Sequence, residues 1–155
     1  MRESPTSRCK RLGLDECPEL WSSVSPDPNA EFEHFHLVCR LRPEILDPYV
    51  LLVEPGGSDG RDFLLVGRLE RQVVQGKLGY LRIGRLPVTA WVGVHGGILG
   101  HPDEPQITEA LIHVTDLLAS GSADMAVFHG VPQKSPLWAA AAILLVTAPL
   151  IPVFM

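Results

Sequence analysis

The stretch of this chain best furnished for chemistry is Val94-His95-Gly96-Gly97-Ile98-Leu99-Gly100-His101-Pro102-Asp103-Glu104. Two histidines and two carboxylates are groups that ligate metals or move protons. His-Gly-Gly is the kind of loop whose backbone N–H groups line an oxyanion hole. The spacing fits no metal-ligand pattern, however, and the chain holds no GxSxG elbow to use such a hole. The reading that fits is a glycine-rich crossover from strand to helix, with glycines at tight backbone turns. His34 and His36 lie two apart in helix-like sequence, so they project from different faces and do not chelate. Arg68, Glu70 and Arg71 read as the exposed, wet face of a strand, and Arg82 and Arg85 with Lys77 as solvated charges, with a small anion-binding stripe as the alternative. Cys9, Cys17 and Cys39 form no CxxC pair, and an odd count favours free thiols in a reducing, cytoplasmic compartment.

These groups need elements to position them. Tyr49-Val50-Leu51-Leu52-Val53-Glu54 is a continuous apolar run, and Pro55 to Gly60 supplies turn residues. Asp62 to Gly67 then passes into alternation at Arg68–Arg71, which completes a hairpin. Leu78 to Ile83 and Val88 to Val94 continue the pattern as third and fourth strands, so Tyr49–Val94 is expected to be an antiparallel four-strand meander. Glu31 to Leu41 has helical spacing and stops at Pro43. Gln106 to Ser120 carries an apolar stripe of Ile107, Leu111, Val114, Leu117 and Leu118, with Gly121 placed as a C-cap. Asp124 to Phe128 reads as a short buried strand, and Ser135-Pro136 as the start of a last helix. The fold class is α+β (mixed α/β). Residues 1–29 are expected to be poorly ordered, except that Pro18–Trp21 forms a helical turn with Trp21 on the body. Residues 30–138 form the lobe, and 139–155 an apolar tail.

The 155 residues carry 46% apolar and 20% charged side chains, the balance of a globular protein. A net charge of −5 argues against a nucleic-acid binder. The basic N-terminus is followed by no apolar core of a signal peptide. No charged residue lies between Ser135 and Met155. That run approaches the length of a membrane span, but Pro149 and Pro152 break it and no basic flank follows, so membrane anchoring is the lesser reading.

Taken in order, these pieces resemble the first lobe of a FemAB-like, CelD-type member of the GNAT acyltransferase superfamily, over roughly Pro48 to Trp138. The resemblance rests on Tyr49–Glu54, the glycine turn, Phe63-Leu64-Leu65-Val66-Gly67-Arg68-Leu69, Gly96-Gly97-Ile98-Leu99 and the helix after it. It extends through Ala123-Asp124-Met125-Ala126-Val127-Phe128-His129-Gly130-Val131-Pro132 to Ser135-Pro136-Leu137-Trp138. It implies a GNAT-like half fold, acyl transfer from acetyl-CoA or another activated donor to an amine, and a second acyltransferase lobe as partner. Glu54 and Glu70 are the candidates for a catalytic base. An active GNAT lobe places Arg/Gln-x-x-Gly-x-Gly/Ala between a strand and a helix, where backbone N–H groups hold the donor's pyrophosphate. The nearest stretch here, Gln75-Gly76-Lys77-Leu78-Gly79-Tyr80, has Leu78 where the first glycine is needed. The chain is therefore expected to bind acetyl-CoA weakly or not at all by itself unless Gly96, Gly97 and Gly100 replace that loop. It reads as a truncated lobe, inactive alone, able to self-associate through its apolar C-terminal segment. Its competing readings are a non-catalytic interaction module and a small membrane-anchored domain using Leu137–Phe154.

Overall fold

The computed structural model describes residues 8–17, 19, 21, 28–56, 60–78, 80–147 and 153–154, and its strands form one sheet whose spatial order is the chain order. Strands β1 (Arg8–Leu12), β2 (Ile45–Glu54), β3 (Phe63–Leu78) and β4 (Leu81–Leu99) pair antiparallel. Strands β5 (Met125–Phe128) and β6 (Val153–Phe154) continue the sheet in parallel. Helix α1 (Phe32–Leu41) precedes β2, α2 (Glu104–Ala119) joins β4 to β5, and α3 (Pro136–Thr147) follows β5. A parallel β4–β5 pair needs such a crossover, and α2 supplies it.

The apolar runs seen in the sequence are central strands covered on both faces, which explains why they do not alternate. On one face Tyr49, Leu51, Val53, Leu65 and Trp91 pack with Ile107, Leu111, Phe128 and Leu137. On the other, Val50, Leu52, Leu64, Val66 and Leu99 lie with Trp21 and Phe35. Trp91 crosses the sheet where Gly67 has no side chain; a Cβ there would sit 2.4 Å from the indole Cζ2. Its ring meets Phe128 at a centroid distance of 5.1 Å. Among the described residues, its buried Nε1 finds no hydrogen-bond acceptor.

Helix α2 starts sharply. The Asp103 carboxylate accepts from the Gln106 N–H at 2.8 Å, and the Gln106 side-chain oxygen accepts from the Asp103 N–H at 3.1 Å. This reciprocal box satisfies two of the N–H groups that every helix start leaves open. Gln106 is itself buried, and its Nε2 donates to the carbonyls of Val53 (3.2 Å) and Arg61 (2.9 Å). One side chain thus ties the helix start to the end of β2 and the approach to β3. At α3 the Ser135 Oγ accepts from the Trp138 N–H at 3.2 Å, the cap that Ser135-Pro136 suggested.

The expected four-strand meander is corrected in its parts. The residues assigned to third and fourth strands belong mainly to one strand, the 19-residue β4, while β3 runs on to Leu78. Nothing between Arg82 and Val88 forces a reversal. Gly84, at φ 153°, stands opposite Gly76, and the register shifts between Gly76 and Lys77 to absorb an irregularity. Pro87 is tolerated because a two-stranded ribbon leaves each strand an open edge. The pairings of β2 and β5 end at Glu70 and Ala90, so the outer half of the β3–β4 hairpin projects beyond the sheet. Val73, Tyr80, Leu81 and Leu86 are exposed there.

The fourth antiparallel strand is instead Arg8–Leu12, inside the segment expected to lack order. It gains its partner only in three dimensions, pairing with Val50–Glu54. The Arg11 guanidinium binds the Asp47 carboxylate and lies 4.4 Å from the Tyr49 ring centroid. Trp21 packs on the body as expected, its Nε1 donating to the Ala30 carbonyl at 2.7 Å. Along α3, Leu137 and, in the apolar tail, Ala140 and Ala141 are buried in the α2-side core, and the β6 backbone pairs with β5. The expected self-association through the apolar C-terminal segment rests largely on side chains from position 142 onward, which lie outside the described residues. Among the described residues no helix is long and apolar enough to cross a membrane.

Candidate functional site: the cleft where β4 and β5 part

The parallel register of β4 and β5 runs from Ala90–Met125 to Gly93–Phe128. One further bond, His129 N–H to the Gly93 carbonyl, is already long at 3.4 Å. Beyond it β5 ends while β4 continues to Leu99. On its other side β4 also loosens: Gly93 faces Gly67 and Ile98 faces Leu65, so Val94–Gly97 bulge opposite the single residue Val66. Gly96 makes the bulge possible by taking φ 69°, where a side chain would be strained. A cleft of about 240 Å³ opens at this point, lined by Gly93–Ile98 of β4 and by Phe128–Pro132, with Leu137 of α3 beneath. Its walls are mostly backbone and apolar side chains.

A second depression, of about 470 Å³, lies beside it on the α1 face of the sheet. His34 and Arg42 border it from α1 and the turn after it, Arg68 from β3, His95 from β4, and His129 from the end of β5. Val92 and Val94 also line it. His95 and His129 line both depressions. The His95 imidazole is seated against the backbone of Gly130, where an added Cβ would come within 1.8 Å of Nδ1. Gly130 also adopts φ 66°, so two independent reasons call for glycine there. Arg68 and Glu70, expected on a wet strand face, are instead largely buried under α1, and the Arg68 Nε donates to the Glu70 carboxylate at 2.9 Å. The Gln72 side-chain amide donates to the other Glu70 oxygen at 2.6 Å.

Of the residues singled out in the sequence, Gly96 and Gly97 line the cleft and Gly100 does not. Gly100 forms the turn before α2 at φ 112°, closely packed on Phe63. Glu54 closes β2 opposite Arg8 and lines neither depression. Glu70 lies under the groove with its carboxylate engaged by Arg68 and Gln72, which leaves it poorly placed to accept a substrate proton. His36 stacks on Phe32 at 6.0 Å, apart from His34. Among the described residues, no group of three or more His, Cys, Asp or Glu side chains could hold a metal ion. The groups that sequence reasoning missed are the imidazoles of His95 and His129 as a pair. They are 34 positions apart and line the same two depressions because β4 and β5 are parallel neighbours.

The three cysteines are free thiols. Burial pushes Cys9 up to about 12, with help from Glu109, and Cys17 up to about 11, with help from Glu16 and Asp15. Burial likewise raises Cys39 to about 11, partly opposed by Arg68. None is therefore an activated nucleophile at neutral pH.

No protein-family model, curated protein or solved structure matches this chain.

Proposed function

We propose that this chain is an acyltransferase-type lobe of the FemAB-like GNAT kind, presenting an acyl-transfer cleft without itself anchoring the phosphates of an acyl-CoA donor. The observation that carries the reading is the parting of the parallel β4–β5 pair. Open α/β sheets bind ligands outside the carboxyl ends of their strands, where neighbouring strands separate, and here that place is a narrow apolar slot. The Val94–Gly97 bulge stands opposite the single residue Val66, and its N–H groups are the donors that this reading assigns to a thioester carbonyl. Such donors stabilise the oxyanion of acyl transfer. His95, at the seam of cleft and groove, is the group best placed to take a proton from an amine arriving through the groove.

The missing donor anchor follows from the start of α2. A helix N-terminus holds phosphate through free N–H groups and a positive dipole end. Here Asp103 occupies the end with its own carboxylate, Glu104 adds a second negative charge, and Pro105 removes an N–H. The donor's phosphates must be held elsewhere, which suits a partner lobe or a donor that is not a CoA ester.

The test is titration of the ¹⁵N-labelled chain with acetyl-pantetheine, which has the acyl arm and no phosphates. Saturable shifts confined to the amides of 94–97 and 129–131 are expected. Shifts scattered over the surface, or none, would contradict the reading and leave an interaction module as the better account.

A further inference from the structure

We propose that the groove beside the cleft binds the carboxylate of a small monoanionic molecule, with Arg68 as its anchor. This rests on the acyl-transfer reading in one respect only: if that reading holds, the molecule is the acceptor, an amine carrying a carboxylate.

Five nitrogen-bearing side chains from separate stretches of the chain converge on one depression: His34, Arg42, Arg68, His95 and His129. Arg68 is the least exposed of them for which the side chain is held in a fixed pair, with 15% of its side chain accessible. Its Nε is used by Glu70, while among the described residues its two terminal nitrogens have no protein partner. Such a guanidinium presents a planar donor edge, which matches a carboxylate. Arg42 at the rim is engaged by Glu44 at 2.6 Å through both Nε and Nη2. The two glutamates offset the two arginines, and the imidazoles add further hydrogen-bonding nitrogens. The groove therefore offers hydrogen-bond donors in a weak field, which suits one negative charge better than two. The valines on its floor leave room for the ligand's apolar atoms. The carboxylate end lies in the groove, and His95 stands between it and the cleft, so an amine on the same small molecule reaches the cleft side.

The probe is N-acetylglycine, with its methyl ester as an uncharged control of the same shape. The readout is the set of His Cε1–H resonances, assigned by single His→Gln variants, at constant neutral pH and ionic strength. N-acetylglycine is expected to shift the His95 and His129 resonances saturably, and the ester is not. Arg68→Lys keeps a cation beside Glu70 but loses the fork, and is expected to weaken binding by about threefold or more. Glu44→Gln, which frees Arg42 at an exposed site, is expected to tighten it. Equal response to acid and ester, or an unchanged affinity in Arg68→Lys whose amide spectrum is that of the folded chain, overturns the proposal. Tighter binding of inorganic phosphate overturns the carboxylate assignment. Because acetyl-pantetheine reports on 94–97 and N-acetylglycine on the α1-face histidines, either claim can fail while the other stands.

Discussion

His95 owes its position to a residue with no side chain. Gly130 and Gly121 both adopt left-handed backbone conformations, with φ of 66° and 73°. Around Gly121 a Cβ would meet nothing, whereas at Gly130 it would strike the His95 ring. Gly121→Ala should therefore cost only the backbone strain, about 1–2 kcal/mol, and leave the His95 resonance unmoved. Gly130→Ala should cost more and shift that resonance; chemical denaturation with histidine spectra of both variants checks this. The thiols set a different expectation. Burial raises all three above the ordinary 9.0, and it raises the Tyr49 phenol as well. A raised folded-state pKa means that the native fold favours the protonated form. That contribution is complete below pH 9.0 and is lost as pH climbs through 11 to 12. Unfolding midpoints should fall across that window, and less steeply in Cys9→Ser.

At the scale of elements, Gln106 concentrates more structure than any other polar side chain described. Gln106→Ala deletes the bonds to the Val53 and Arg61 carbonyls and half of the capping box, in a buried site. A loss of about 2–4 kcal/mol is expected. Asp103→Ala, at the exposed half of the box, should cost about 1 kcal/mol. Denaturant titration of the two variants ranks them. The sequence made α1, α2 and β5 readable because apolar spacing alone defines a helical stripe or a short buried run. It also placed the cap at Ser135. It did not reveal the Asp103–Gln106 box, because the apolar stripe marks the helix only from Ile107 onward and says nothing of a buried glutamine before it. The merging of two expected strands into β4 was hidden for a related reason: Gly84 and Pro87 resemble turn residues, yet a free ribbon edge accommodates both. β1 lay in proline-rich sequence with no periodicity of its own, and only its pairing with β2 gives it form.

The whole molecule divides its charge unevenly. Between Arg71 and Val88 lie four of the 13 basic residues and none of the 18 acidic ones, so the remainder of the chain carries a net charge of −9. Among the described residues, the projecting ribbon that holds those cations adds no side chain to the buried clusters, and trimming residues 73–86 to an Asn-Gly turn should move the melting temperature by no more than about 3 °C. A larger drop would mean that the ribbon folds back on the body. The cleft and groove, by contrast, are properties of the whole sheet, since their lining comes from α1, β3, β4, the end of β5 and the start of α3. That is why the candidate site was only half legible in the sequence: Gly96 and Gly97 stood out, while the imidazole pair required knowing that β4 and β5 run parallel.

The central claim is that the cleft accepts an acyl-pantetheine arm while the start of α2 refuses the phosphates. Calorimetric titration of the full chain with acetyl-CoA and with acetyl-pantetheine compares the two directly. Both are expected to bind at about millimolar Kd, near −4 kcal/mol, and within about threefold of each other. Micromolar binding of acetyl-CoA with millimolar binding of acetyl-pantetheine would contradict the account, because roughly 4 kcal/mol of phosphate recognition would then reside in this chain.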